Sequence, residues 1–128
     1  MTDARSPLIA LGALNAAIAI AAGAFAAHSL RARLDARSVE VFETAARYHM
    51  YHAFALVLAG MLANASAMRG TQLAGWLFQA GIVLFSGSLY ALALTGVKTL
   101  GAVAPFGGIA FLGGWLCLAW AAFRAWRA

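Results

Sequence analysis

Four long stretches of this chain contain no Lys, Arg, Asp or Glu: residues 6–30, 48–68, 70–97 and 99–123. No other feature limits the fold as tightly. A helix of about 20 apolar residues crosses a hydrocarbon core of about 30 Å, and each stretch reaches that length. Within a bilayer the backbone must satisfy its own hydrogen bonds, so such runs span as helices. A greasy soluble bundle would instead need charged outer faces at helical spacing, and the runs carry none. Only 10% of the 128 residues are charged and 64% are apolar, whereas soluble domains average roughly 25% charged. The expected fold is an all-α membrane protein, a single domain over residues 1–128. Four transmembrane helices, over about 8–27, 40–63, 71–94 and 102–123, form an antiparallel bundle.

The residues between the runs fit that frame. In "HSLRARLDARSVE", Leu30 and Leu34 share a helical face among arginines, which predicts a short interfacial helix between the first and second spans. Ser38 is the expected N-cap of the second span, with Glu40 and Glu43 near its positive end. "NASAMRG" and "TGVKTLG" are the later turns, and Pro105 sits near the start of the fourth span, where proline is tolerated. Small residues recur in the first span (Gly12, Ala16; Ala19, Gly23, Ala27) and as glycine pairs at 107–108 and 113–114, predicting close helix approach. Arg5 followed by an apolar run and "AGAFAAHS" resembles a signal peptide. The run is longer than a usual signal core, however, so a retained span is expected. Cys117 lies inside the fourth span and reads as a packing residue.

Four crossings place both termini on one side, together with the "NASAMRG" turn. Trp76, Trp120 and Trp126 fall toward that side, and Tyr48, Tyr51 and Tyr90 toward the other, as interfacial belts do. The net charge of +5 comes from basic residues at span ends. They meet lipid headgroups, so membrane lipid is the expected partner and nucleic acid is not. The terminal arginines have no acidic neighbour beyond Asp3, which favours cytoplasmic termini.

Polar side chains collect near the other face. His28 ends the first span; Glu43, Arg47, Tyr48, His49 and His52 begin the second; Ser86, Ser88 and Tyr90 lie late in the third. Ionisable groups in a membrane are costly and face protein or water with a partner, so a shared ligand-binding site is expected there. Each group also has a plainer reading. Glu43 and Arg47 are spaced as an i,i+4 ion pair. The serines of "FSGSLY" can bond back to their own helix. His28, His49 and His52 could ligate a metal, although no fixed motif supports it. On the second helix polar groups point in two directions, which places that helix at the bundle centre or at a subunit interface. There is no HExxH, no GxSxG and no P-loop lysine, so no catalytic residue and no cofactor is assigned.

"GAFAAHSL", "FETAARYHMYHAFAL", "LFSGSLYALALTG" and "APFGGIAFLGGWLCLA" resemble, in that order, the stretches that mark the domain of unknown function 423 family. The resemblance covers roughly residues 8–122. It implies a small bacterial inner-membrane protein with about four helices and no established activity. The family pattern reads "GAFGAH" where this chain has Ala26, and "YQMYH" where it has His49. His28, Arg47, Tyr48 and His52 match. The expected function is non-enzymatic binding of a lipid, a hydrophobic small molecule or a membrane partner. An oligomeric transporter or channel subunit is the alternative, and a His-ligated metal or haem protein a third.

Overall fold

A computed structural model describes residues 5–65 and 68–128. Asp3 and residues 66–67 of the "NASAMRG" turn lie outside the described residues. The elements are α1 (Leu8–His28), α2 (Ala36–Asn64), α3 (Thr71–Gly81), α4 (Ser88–Thr95) and α5 (Ala104–Arg127). Between α3 and α4, Ile82–Gly87 winds as a π-helix, and the three pieces make one continuous rod from Thr71 to Thr95. α1, the rod and α5 lie within a few residues of the expected spans, because the charge-free runs set them; α2 begins at Ala36, ahead of its own run.

Leu8–Ala32, Thr71–Thr95 and Lys98–Arg127 are long and apolar enough to cross a membrane. At 29 residues α2 is also long, but Arg37, Glu40, Glu43 and Arg47 occupy its first turns. Its cap is Asp35, not Ser38: the Asp35 carboxylate accepts the Ser38 backbone N–H at 2.9 Å. Ser38 stands at the third helical position, whose free N–H an N-cap side chain satisfies. The Ser38 side chain, and after it this backbone bond, hold the Asp35 carboxyl below the usual carboxylate range. The connector holds a short 3-10 helix over Leu30–Ala32, and Leu30 is buried against Phe42 and Ala93.

α2 is the central helix. α1 lies along one flank and the α3–π–α4 rod along another, while α5 packs mainly on the rod. The two polar directions of α2 part accordingly: His49 and His52 are buried, Glu43 pairs with Arg31 of the connector, and Arg47 is exposed. Lipid offers no hydrophobic drive between helices, so close packing must hold them together. At Gly12 an added Cβ would lie 2.8 Å from the Ala53 carbonyl oxygen, and at Gly60 2.8 Å from the Ile9 nitrogen. Only glycine lets α1 and α2 approach so closely. The main core gathers Leu8, Leu56, Phe78, Ile82, Phe111 and Leu118, and a second cluster around Leu30, Val39 and Phe42 closes the connector end.

Candidate functional site

The polar residues divide into two constellations on neighbouring faces of α2, marked by His49 and His52. The first is a chain of hydrogen bonds through the bundle centre. Asn15 of α1 donates from Nδ2 to the Leu11 carbonyl and to Gln79 Oε1 of α3, each at 2.9 Å. A carbonyl only accepts, so this amide orientation is fixed and Oδ1 faces His49 of α2. His49 Nε2 donates to Asn15 Oδ1 at 2.9 Å, and its Nδ1 accepts from the Tyr90 hydroxyl of α4 at 3.0 Å. One directed series thus runs Tyr90, His49, Asn15, Gln79, and ties together α1, α2 and both halves of the rod. Ser86, fully buried in the π stretch, adds a bond to the Ala45 carbonyl of α2 at 2.8 Å.

The second constellation is a groove of about 670 Å³ between α2 and α5. Tyr48, Tyr51 and His52 form its α2 wall, Phe85 of the π stretch its back, and Pro105, Gly108, Ile109, Phe111, Leu112 and Trp115 its α5 wall. His52 is buried at 5% exposure, and its ring stacks on Phe111 with centroids 3.5 Å apart. Trp115 Nε1 donates to His52 Nε2 at 3.1 Å. An indole nitrogen only donates, so His52 carries its proton on Nδ1 and gives it to the Tyr48 carbonyl at 2.7 Å. The imidazole is neutral and held on both nitrogens.

The expected cluster is therefore rearranged. Tyr48 and His52 meet in the groove, while Ser86 and Tyr90 join α2 in the core. Tyr90 also packs against Phe42 with ring centroids 4.8 Å apart. Ser88 bonds back to the Leu84 and Phe85 carbonyls. The expected Glu43–Arg47 pair is replaced: Glu43 takes Arg31 from the connector at 2.9 Å, because the 3-10 turn folds that arginine over the first turns of α2. Arg47 and His28 are exposed outside both constellations. Among the described residues no three His, Cys, Asp or Glu side chains converge, and His49 and His52 spend both ring nitrogens on protein partners. Asn15 and Gln79 were not singled out in the sequence. Their signal is a lone amide in an otherwise apolar span, the kind of residue that bonds across helices.

Glycine-close packing, apolar outer faces and inward polar bonds define a helical membrane protein. The family model described as protein of unknown function (DUF423) matches residues 22–108. A UPF0382 membrane protein of Staphylococcus aureus (strain bovine RF122) is 45% identical over 91% of this chain and 94% of its own length. YwdK, a UPF0382 membrane protein of Bacillus subtilis, is 45% identical over 91% and 95%. A Staphylococcus epidermidis relative of the same description reaches 47% over 86% and 89%. No solved structure matches. The chain belongs to this family of uncharacterised integral membrane proteins.

Proposed function

We propose that the protein crosses the bacterial inner membrane four times with cytoplasmic termini, and that it binds a hydrophobic, ring-bearing small molecule drawn from the bilayer into the α2–α5 groove. The observation that carries this reading is the groove itself. Its volume of about 670 Å³ falls within the roughly 300–1,000 Å³ of small-molecule sites. Its walls are aromatic on both sides, and flat rings prefer offset or edge contacts with such walls. Four crossings are supported by the length of α2 and by its place between α1 and the rod, where His49 and His52 are buried. The short 3-10 turn then lies at the interface, beside Arg31 and Arg33. Binding is favoured over catalysis because every nitrogen of the two buried histidines is already bonded within the protein.

Gly108 provides the test. It lines the groove, and a Cβ added there meets nothing within 4 Å. Gly108→Leu therefore fills the groove without moving the backbone. The wild-type chain, purified in mild detergent and extracted with organic solvent, is expected to release a ring-bearing compound that Gly108→Leu lacks. Identical extracts from two equally folded proteins would refute the reading.

A further inference from the structure

A different cleft opens at the connector end of the bundle, away from the groove. It holds about 330 Å³. Arg37, Ser38 and Val41 of α2 line one side; Leu92 and Ala93 of α4, with Gly96 and Lys98 of the following turn, line the other. Two cations from separate elements thus face one space. The ion pair found among the described residues joins Arg31 to Glu43, so no described carboxylate pairs with Arg37 or Lys98. The acid closest in sequence, Asp35, is committed to the Ser38 N–H. Arg37 also stands in the first turn of α2, where the helix dipole disfavours a positive charge. Below the cations the floor is apolar: Ala93 is buried, and Val41 and Leu92 are half-buried.

We propose that this cleft binds the phosphodiester of an anionic phospholipid. Charge decides the sign of the ligand, and the floor decides its kind. Two cations over a hydrocarbon floor match a phosphate continuous with a glycerol and the first methylenes of an acyl chain. Free phosphate would leave Val41, Leu92 and Ala93 uncovered. A zwitterionic headgroup would bring an ammonium toward Arg37 and Lys98. Each basic residue near a membrane surface adds about 1 kcal/mol toward anionic lipid, or about fivefold in affinity.

The experiment uses the full chain, delipidated in detergent and titrated with phosphatidylglycerol, phosphatidylcholine or inorganic phosphate while native mass spectrometry counts bound molecules. Phosphatidylglycerol is expected to bind at least about tenfold more tightly than phosphatidylcholine. Arg37→Gln and Lys98→Gln should each weaken it about fivefold. Arg124→Gln with Arg127→Gln removes the same charge at the other end and should leave it within about twofold. For wild type, raising the salt should weaken phosphatidylglycerol and not phosphatidylcholine. The assignment is overturned by equal binding of the two lipids, by an unchanged Arg37→Gln/Lys98→Gln double variant, or by equal losses in the Arg124 and Arg127 control. Tight binding of inorganic phosphate alone, or salt-insensitive phosphatidylglycerol binding, would also overturn it.

Discussion

Two adjacent glycines at the start of α5 should respond to the same substitution in opposite ways. A methyl added at Gly107 would stand 2.6 Å from the Phe85 Cβ and 2.7 Å from its Cα, and closer still to its backbone nitrogen. Ordinary contacts between such atoms are about 3.5–4.0 Å, so α5 and the rod would have to part by roughly 1 Å. The obstruction is backbone, which no rotamer change relieves. Overpacking costs about 1–3 kcal/mol, and a backbone clash belongs at the upper end. Replacing a helical glycine by alanine returns at most about 1 kcal/mol, and it does so at both positions. Gly107→Ala should therefore lose about 2 kcal/mol, roughly a thirtyfold shift toward the unfolded chain. Gly108→Ala, which meets nothing within 4 Å, should be neutral or gain up to about 1 kcal/mol. Both variants can be unfolded in one detergent by heat or SDS, with helix content and tryptophan emission followed together. If Gly107→Ala proves as stable as Gly108→Ala, the close contact between α5 and the π stretch is wrong.

Other outcomes follow from the hydrogen bonds. His49→Gln supplies one donor for Asn15 and one acceptor for Tyr90, so unfolding assays should place it near wild type. His49→Leu leaves both partners unsatisfied and should cost about 1–3 kcal/mol. A double-mutant cycle of Asn15→Leu with Gln79→Leu should show a coupling of about 0.6–1.7 kcal/mol, the range of interhelical bonds in membranes. Additive losses would mean the two amides do not touch. The Asp35 carboxyl is held low by its bond to Ser38, so its contribution is fully present above its ordinary value of 3.8 and is lost as pH falls through the lowered one. Exchange of the Ser38 amide should accelerate at acidic pH in wild type, and Asp35→Asn should flatten that dependence. Glu43→Gln should change stability by under about 1 kcal/mol, since its pair with Arg31 is largely exposed.

The helices were legible because charge is excluded from hydrocarbon, and the absence of charge is visible residue by residue. The helix start at Ala36 and the choice of Glu43's partner were not. Both depend on how the connector folds back, and a 3-10 turn of three residues leaves little pattern. The glycine pairs announced tight contacts without saying which member makes them. Gly107 and Gly114 face the rod, whereas Gly108 faces open space and Gly113 makes only ordinary contact. The site was legible in its ingredients and not in its grouping. Tyr90 and Tyr48 occupy similar depths on different helices, and only the packing sends one inward to His49 and leaves the other at the groove. Phe111 and Trp115 looked like ordinary span residues, because nothing in α5 alone shows that His52 lies opposite.

The π-helical stretch has a consequence for chain length. Hydrogen bonds there reach one residue further than in an α-helix, so an additional residue is accommodated within the turn. α3 and α4 are consequently out of phase with each other: Phe78 lies against Gly114 of α5, while Ser86 and Tyr90 point at α2. Re-winding residues 82–87 as ordinary α-helix, with no residue removed, would rotate everything beyond them by about 100°. Tyr90 would swing away from His49 although no interacting side chain had been altered. Losing one residue together with the π turn, by contrast, would leave the half of the rod that follows aimed almost as it is now, because the turn is what absorbs the additional residue.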